Sequence, residues 1–284
     1  MRPFLKWAGG KRQILSYIKK YINNDVMADG ATYYEPFIGG GSLFFELARN
    51  NSVINDYNSE IINVYKVIKE HPVGLIRMLK NHQKNDSEEY YYKIRNLDKD
   101  PAFKKMGNVK KAARTIYLNK TCFNGLFRVN REGYFNTPRG KYSNPLICDE
   151  DNIKEISEFL NKNNILILNC DFEYACPNVK EGDYIYFDPP YDYEEQSGFV
   201  SYNAQGFTRD DLARMKGFCD RLIELGCVVL ISNNDTTYVR ELFSDDNYEI
   251  VYQINQVDAN RNINSIGEKR ANKVQEVLIY GTRR

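Results

Sequence analysis

The alternation of apolar strand-like runs with helices, interrupted once by a long helical block, constrains this fold more than any other feature. Strand-like runs read TYYEPF and SVIND near the start, and ILILNCDF, YIYFD and CVVLISN in the second half. Between them, apolar residues recur mainly at helical spacing. Apolar strands separated by helices are typical of a mostly parallel sheet covered on both faces. We therefore predict an α/β core from residues 1–57 and 165–284, with an inserted, largely helical domain at 58–164.

Composition is consistent with one large domain that carries an insertion. The chain has 284 residues, of which 42% are hydrophobic and 27% charged, enough for a packed core in a soluble protein. No run approaches the roughly 18 apolar residues of a membrane span, so we expect a cytoplasmic protein. Six cysteines without a C-x-x-C pair predict buried free thiols, and two histidines leave little material for zinc clusters or Ser-His-Asp triads.

Positive charge is concentrated in one segment. The net charge of the chain is +1, yet the window from Lys99 to Lys141 holds eleven Lys or Arg and two acids. Phe123, Phe127 and Tyr134 are interleaved with these basic residues. A basic surface with aromatic side chains favours a polyanion partner over an ordinary solvated helix face.

A glycine-rich turn, EPFIGGGS, follows the first strand and opens a helix. Glycines let backbone approach a ligand closely. Asp56 ends the next strand, about 20 residues after the turn, where doubly wound folds place an acid against ribose hydroxyls. The turn does not match G-x-G-x-x-G, and AGGKRQ does not match a phosphate-binding loop, so neither a dinucleotide nor a nucleoside triphosphate is favoured. S-adenosylmethionine, a nucleoside with a different tail, fits.

The sequence YIYFDPPY places an acid and two prolines directly after a strand. Ligands bind at the carboxyl ends of parallel strands, where Asp188 lies. Pro189 and Pro190 favour extended backbone and lack N–H groups, which leaves turn carbonyls without sheet or helix partners. We predict a rigid acceptor pair, the Asp188 carboxylate and the Pro189 carbonyl, beside the ring of Tyr191. A plain proline turn is the alternative, but this tetrapeptide at a strand end is uncommon.

An exocyclic amine of a nucleobase suits such an acceptor pair. Two acceptors that hold its hydrogens direct the nitrogen lone pair at a methyl donor, with no metal required. The ring of Tyr191 would stack on the base, which contributes on the order of 1–3 kcal/mol. A base inside a duplex cannot reach the pocket, so the target must be flipped out.

Six segments together resemble one enzyme family: FLKWAGGKR, YYEPFIGGGSLFF, VINDYN, NGLFRVN, FNTPRGKY and FDPPY. They are similar to Dam-type DNA adenine-N6 methyltransferases, D12 class, alpha group, over nearly the whole chain and in the same motif order. The resemblance implies a seven-stranded, mostly parallel methyltransferase sheet with an inserted helical and hairpin DNA-recognition domain. It also implies S-adenosylmethionine as cofactor, S-adenosylhomocysteine as product and no metal.

The resemblance assigns three sets of residues. The catalytic set is Asp188, Pro189, Pro190 and Tyr191. The cofactor-binding set is Trp7, Ala8, Lys11, Phe37, Gly39, Gly41, Asp56, Asp171, Phe172 and Asp188. The DNA-binding set is Lys6, Lys120, Phe123, Asn124, Leu126, Arg128, Asn130, Asn136, Pro138 and Lys141. To these we add, from the polar C-terminal segment DANRNINSIGEKRANK and not from the resemblance, Lys269, Arg270 and Lys273, which would clamp phosphates.

Individual DNA roles follow from the same resemblance. Phe123 and Leu126 would wedge into the base stack, and Asn124 would support the gap left by the flipped adenine. Three further residues of the set, Arg128, Lys6 and Pro138, are assigned to reading the bases of the target.

Arg128 would read a guanine edge with its fork of donors, Lys6 would contact the first base, and Pro138 would lie near a thymine. All three match the family, so we predict a GATC target.

Two other kinds of function compete with adenine methylation on the sequence alone. Transfer to another planar amine or amide, such as cytosine N4 or a glutamine side chain, and DNA binding without catalysis are the competing functions. The expected partners are double-stranded DNA and a cognate restriction endonuclease, and no membrane is expected. We expect a monomer from a bacterium or a phage. Its biological role would be either restriction–modification or DNA repair. An acidic run, Asp192, Glu194 and Glu195, departs from the pattern, and we predict that it repels phosphates or lies on a solvated lid.

Overall fold

The computed structural model describes residues 1–6, 14–22, 30–194, 206–244, 249–259 and 274–284. Within these ranges the chain forms nine α-helices, seven strands and several short 3-10 turns. The helices span Leu15–Tyr21 (α1), Ser42–Leu47 (α2), Ser59–Glu70 (α3), Pro72–Asn85 (α4), Glu88–Arg95 (α5), Asn108–Thr121 (α6), Glu150–Lys162 (α7), Arg209–Glu224 (α8) and Thr237–Phe243 (α9). The strands span Tyr33–Glu35 (β1), Asn51–Asn55 (β2), Asn164–Leu168 (β3), Tyr184–Phe187 (β4), Val228–Asn234 (β5), Ile250–Ala259 (β6) and Val274–Arg283 (β7).

The strands form one seven-stranded sheet in the order β3-β2-β1-β4-β5-β7-β6. The pairs β2–β1, β1–β4 and β4–β5 are parallel, whereas β7 pairs antiparallel with β5 and β6. Strand β4 is buried throughout, as its uninterrupted apolar sequence YIYF requires of a strand covered on both faces. The predicted mostly parallel α/β sheet is therefore confirmed.

Local signals explain where α8 begins and ends. The Thr208 hydroxyl accepts a hydrogen bond from the Asp211 N–H, and the Asp211 carboxylate accepts one from the Thr208 N–H, which completes the capping box. Gly226, with φ of 86°, follows the helix in the left-handed conformation that suits glycine. Both features are local signals of the sequence, because each depends on residue types within a few positions of the helix end. Helix α9 was not predicted from the sequence, because its seven residues are too few for a clear hydrophobic period.

Two compact units divide the chain. The helical unit comprises Met1–Gly10, Gly39–Asn50 and Asn58–Asn169, and the sheet unit comprises Lys11–Ile38, Asn51–Tyr57 and Cys170–Arg284.

The helical unit is built around α3, α4 and α6, whose inward faces are apolar. A buried ion pair lies within it, because the Arg114 Nη2 on α6 is 2.7 Å from the Asp98 carboxylate. The same carboxylate accepts a hydrogen bond from the Phe135 N–H at 2.8 Å. Asp98 thus joins α6 to the loop that carries several predicted DNA contacts.

The cysteines follow the sequence prediction. Four of the six are buried, the other two are half-buried, and all are free thiols. Burial raises the pKa of Cys122 to about 12, so this thiol is protonated and unreactive at neutral pH. None of the helices in the described ranges combines the length and apolar character that a bilayer crossing requires.

Candidate active site and DNA-recognition loop

Asp188 is the first residue after β4, as predicted, and a neighbouring strand orients its side chain. The Ser232 hydroxyl on β5 donates to Asp188 Oδ1 over 3.0 Å. Ser232 is fully buried and lies 2.9 Å from the Tyr186 hydroxyl. Because the Ser232 hydroxyl uses its one hydrogen in the bond to Asp188, its oxygen accepts a hydrogen bond from the Tyr186 hydroxyl. The three groups therefore form a chain of hydrogen bonds. The half-buried carboxylate is thereby held at the carboxyl edge of the parallel strands.

The last residue of the tetrapeptide, Tyr191, is held by a contact with strand β7. Pro189 is buried and Pro190 exposed. The Tyr191 hydroxyl donates to Glu276 Oε2 on β7 over 3.2 Å, and that acid is itself 7% exposed. A ring tethered at its hydroxyl has fewer orientations available, so the half-buried Tyr191 offers a preorganised flat face next to Asp188.

Asp192, the first acid of the run after the tetrapeptide, corrects the prediction of a phosphate-repelling or solvated lid at this position. Asp192 is only 7% exposed. Its two oxygens accept from the Arg209 guanidinium at 2.9 and 3.1 Å, and Oδ2 also accepts from the Thr236 hydroxyl at 2.7 Å. The Asp192 N–H donates to the Asn233 side chain. Asp192 is therefore a buried anchor that fixes the chain immediately after Tyr191.

Glu194 has a similar local role. Its carboxylate accepts a hydrogen bond of 2.8 Å from the backbone N–H of Thr237, which is the first residue of α9. An anion at this place satisfies an otherwise unpaired helical N–H. Glu195, the third acid of the run, lies outside the described residues.

Asn55 organises the carboxyl end of β2. Its side chain accepts from the Cys170 N–H at 2.9 Å and donates to the carbonyls of Cys170 and Pro36, each at 3.0 Å. The Asn55 carbonyl in turn accepts from the Ile38 N–H. This buried amide therefore joins the segments that follow β1 and β2 to residue 170, and it places the predicted cofactor residues Phe37 and Asp56 at the ends of adjacent parallel strands.

Phe172 lies in an aromatic cluster of the sheet unit. Its ring stacks with that of Phe37 at 5.7 Å between centroids, and the Phe207 ring meets Phe37 edge-on at 5.6 Å. The Arg214 guanidinium covers Phe172 at 4.4 Å from the ring centroid. Arg214 also donates to both oxygens of Asp171 at 3.0 Å, and this pairing lowers the pKa of the Asp171 carboxyl. Asp171 is thus ionised and already held by Arg214.

The glycine turn enters α2 in the helical unit. Gly39 and Gly41 both have positive φ, 45° and 70°. A Cβ on Gly41 would lie 2.5 Å from the Tyr65 hydroxyl, which itself donates to the Gly39 carbonyl at 3.2 Å. The turn therefore needs glycine at position 41 both for its backbone conformation and for space.

The segment NGLFRVNREGYFNTPRGKY forms the predicted small hairpin. Antiparallel pairing joins Cys122 to Arg139 and Val129 to Phe135. At its start, Asn124 (φ 54°) and Gly125 (φ 67°) adopt consecutive left-handed conformations, for which Asn-Gly is the preferred pair. Of the side chains predicted to enter the base stack, Phe123 is 42% exposed and Leu126 is half-buried, and Asn124, predicted to support the gap, is exposed.

Arg128 is oriented within the hairpin by Asn136. The Arg128 Nε donates to the Asn136 side-chain oxygen over 2.7 Å, and the Asn136 N–H donates to the Arg128 carbonyl. The Arg128 Nη2 also donates to the Asn136 carbonyl over 3.5 Å, so two donors of the guanidinium are committed and the planar group is held from one side. Asn136 was predicted as a DNA contact, and its geometry adds a positioning role toward Arg128.

The other predicted DNA residues of the helical unit differ in exposure. Pro138 and Lys141 are exposed, and Leu126, Lys120 and Asn130 are half-buried. The Asn130 side-chain oxygen accepts from two backbone N–H groups of the hairpin turn, which gives this residue a structural role.

Six predicted site residues lie outside the described residues: Trp7, Ala8, Lys11, Lys269, Arg270 and Lys273.

Comparison with known proteins identifies the family. The family model for D12 class N6 adenine-specific DNA methyltransferase matches residues 7–263. Among similar proteins, the type II methyltransferase M1.LlaDCHI of Lactococcus lactis subsp. cremoris is 42% identical, with 99% of this chain and 96% of that protein aligned. The type II methyltransferase M.MjaIII of Methanocaldococcus jannaschii is 37% identical, with 98% of each chain aligned. The DNA adenine methylase of Vibrio cholerae is 33% identical over 99% of this chain and 96% of its own length.

The chain belongs to the D12 class of adenine-specific DNA methyltransferases, and DNA is its substrate. The family implies S-adenosylmethionine as methyl donor. The residues present suit that molecule, because the sheet unit brings an aromatic surface at Phe37 and a half-buried carboxylate at Asp56 to one edge of parallel strands.

Several residues that shape the site were missed by sequence reasoning. They are Ser232, Glu276, Arg209, Arg214 and Asn55. Each is separated along the chain from the residue it holds, and only Asn55, in VINDYN, stands in one of the six family-like segments. For Ser232, the ISNN sequence at the end of β5 offered a signal, since polar side chains at the end of an apolar strand are typical of a site edge.

Proposed function

We propose that the protein transfers a methyl group from S-adenosylmethionine to the N6 amine of an adenine flipped out of duplex DNA, within GATC. The observation that carries the proposal is the oriented Asp188 carboxylate after β4, fixed by Ser232 and followed by the tethered ring of Tyr191. A carboxylate held in advance costs no reorganisation when the amine becomes pyramidal.

The chemistry divides between the cofactor and the chain. S-adenosylmethionine supplies an electrophilic methyl group on a sulfonium. Asp188 and the Pro189 carbonyl would accept hydrogen bonds from the two amine hydrogens and direct the nitrogen lone pair at that methyl. The nitrogen–carbon bond forms as the carbon–sulfur bond breaks, and the one proton that the methylated amine loses would pass to the Asp188 carboxylate or to solvent. Tyr191 stacks on the adenine and keeps it in the plane required for both hydrogen bonds.

The cofactor site follows the predicted set. Phe37 and Phe172 would face the adenine end, and Asp56 would accept the ribose hydroxyls. Gly39 and Gly41 would let backbone approach the molecule. Trp7, Ala8 and Lys11 complete the set by resemblance.

The hairpin and the N-terminal segment would read the site. Arg128, held by Asn136, presents its remaining donors to a guanine edge, and Lys6 contacts the first base pair. Pro138 offers an apolar surface to a thymine methyl. Phe123 and Leu126 would wedge into the stack, and Asn124, exposed at the start of the hairpin, would support the gap, which compensates the few kcal/mol that flipping costs.

The target is tested with plasmid DNA. The purified protein and S-adenosylmethionine are incubated with unmethylated plasmid, which is then digested by one endonuclease that requires methylated GATC and one that is blocked by it. Cleavage by the first and protection from the second support the proposal. Methyl incorporation with the opposite digestion pattern would refute the GATC assignment while leaving adenine methylation intact.

The catalytic assignment is tested separately. Asp188→Ala should abolish methyl transfer while leaving DNA binding close to that of the wild type. Asp210→Asn, an exposed acid at the start of α8, is the control and should retain full activity. Wild-type turnover in Asp188→Ala would remove Asp188 from the mechanism.

Domain roles and biological setting complete the proposal. Residues 58–164 would form the DNA-recognition domain, and residues 1–57 with 165–284 would form the catalytic domain. The protein would act as a monomer in the cytoplasm, where the DNA lies.

Because two similar proteins are named type II methyltransferases, we infer that this chain protects DNA from a cognate restriction endonuclease. Loss of the methyltransferase gene should then be lethal only in cells that carry the endonuclease gene.

A further inference from the structure

The N-terminal segment, residues 1–6, is held by two asparagine side chains in the same way. The Asn152 amide accepts from the Arg2 N–H and donates to the Arg2 carbonyl, both at 2.9 Å. The Asn119 amide accepts from the Lys6 N–H and donates to the Lys6 carbonyl, both at 2.7 Å. Each amide therefore replaces a strand partner for one residue of the segment.

Asn119 makes one contact that Asn152 lacks. Its amide nitrogen also donates to the Gly125 carbonyl of the hairpin over 3.1 Å. Asn119 lies on α6 and is 2% exposed, so water does not compete for these bonds. A single buried side chain thus ties the backbone of Lys6 to the loop that leads to Arg128.

Packing strengthens the same connection. A Cβ on Gly125 would lie 2.4 Å from Lys6 Cβ, so the two backbones are in direct contact. The Lys6 ammonium donates to the Lys120 carbonyl at 3.4 Å and lies 4.1 Å from the centroid of the Tyr142 ring. The exposed side chain of Lys6 is therefore aimed before any DNA binds.

We propose that Asn119 is a positioning residue that sets the place of the Lys6 ammonium relative to the hairpin and thereby controls discrimination at the first base pair of the target. The inference rests on the proposed function, in which Lys6 contacts that base pair. Asn119 acts through Lys6 and touches neither DNA nor cofactor.

The test measures kcat/KM on duplexes in which the second-strand adenine is already methylated, so that only one orientation of the enzyme is productive. Discrimination is defined as the kcat/KM for a GATC duplex divided by the kcat/KM for a duplex substituted at the first base pair of the site. Lys6→Ala should lower this ratio about tenfold, as loss of a base contact of this kind does. Asn119→Ala should lower it by a similar factor, and the double variant should lower it no further, because both changes remove the same interaction.

Asn152→Ala is the matched control, since it removes an equivalent pair of hydrogen bonds four residues upstream. It should lower the melting temperature about as much as Asn119→Ala and leave discrimination at the wild-type value. A second variant, Gly125→Ala, places a Cβ against Lys6 at a backbone φ of 67° that favours glycine, so it shifts Lys6 and the hairpin apart, and it should also relax first-position discrimination.

Two results would overturn the inference in distinguishable ways. If Lys6→Ala relaxes discrimination but Asn119→Ala and Gly125→Ala do not, Asn119 is merely structural and the proposed function stands. If Lys6→Ala itself leaves the ratio unchanged, the assignment of Lys6 fails, and the role of Asn119 fails with it.

Discussion

Ser232 Oγ lies 3.0 Å from Asp188 Oδ1 and 2.9 Å from the Tyr186 hydroxyl, so the carboxylate after β4 is oriented from the adjacent strand β5. Ser232 and Tyr186 are both wholly buried. The hydrogen bond is therefore a fixed part of the fold, and the carboxylate does not have to find its orientation when substrate arrives.

Ser232→Ala should lower kcat for methyl transfer by about 10- to 100-fold, because a hydrogen bond to a charged group contributes about 1.5–3 kcal/mol. The KM for DNA should change little, since Ser232 touches Asp188 and not the duplex. Single-turnover methylation with labelled cofactor measures the effect. Ser244→Ala, which removes an exposed hydroxyl at the end of α9, is the control. An unchanged kcat in Ser232→Ala would mean that Asp188 is oriented by other contacts.

Tyr191 allows the ring and the hydroxyl to be separated. Tyr191→Phe removes only the hydrogen bond to Glu276 and should retain most of the activity. Tyr191→Ala removes the stacking surface and should cost about 1–3 kcal/mol, roughly 5- to 150-fold in kcat/KM. Steady-state kinetics on the same duplex compares the two. Equal losses in both variants would show that the hydroxyl, and not the ring, is what the reaction needs.

Asp192 should matter for stability more than for catalysis. Asp192→Asn weakens the ion pair with Arg209 and should lower the free energy of unfolding by about 1–2 kcal/mol, because the buried carboxylate loses its charge while the Arg209 side chain, 35% exposed, stays partly solvated. Urea denaturation followed by circular dichroism gives the value. Asp210→Asn, next to Arg209 but exposed, should change stability by less than about 0.5 kcal/mol. If Asp192 were a solvent-exposed acid, both variants would change the free energy of unfolding by the same small amount.

His82 predicts a pH dependence of stability. Burial lowers the pKa of His82 to about 4, while its side chain stays bonded to the Tyr90 hydroxyl at 2.9 Å. The unfolded chain, with an ordinary histidine pKa near 6.5, binds the proton first as the pH falls, so stability is complete above about pH 6.5 and is lost between there and about pH 4. From pH 7 to pH 5 this amounts to about 2 kcal/mol.

His82→Gln should remove that component, so its unfolding free energy should change less between pH 7 and pH 5 than that of the wild type. His71, the other histidine, is exposed between α3 and α4, and His71→Gln should keep the full pH dependence. Identical pH profiles for the wild type and His82→Gln would show that His82 is not buried in its neutral form.

The elements with strong local signals could be predicted. The apolar run before Asp188 predicted a buried strand, the Thr208–Asp211 pair predicted a helix start, and Asn-Gly predicted a turn. Each of these signals acts over a few residues, where side-chain spacing and backbone preference leave little choice.

The role of the acidic run could not be predicted. Asp192 reads as a surface acid because its neighbours along the chain are acidic too. Its partners, Arg209 and Thr236, are separated from it by 17 and 44 residues and come to it only when β4, β5 and the helices after them pack together.

The sequence by itself determined the class of fold, the order of its motifs and the chemistry offered at Asp188, because strand and helix patterns and rare tetrapeptides are local properties of the chain. Tertiary structure alone decided how that chemistry is held. The buried amides of Asn55, Asn119 and Asn152 illustrate the difference. An asparagine in a sequence carries no mark of its partner, and only burial beside an unpaired backbone N–H and C=O turns its side chain into a clamp between distant segments.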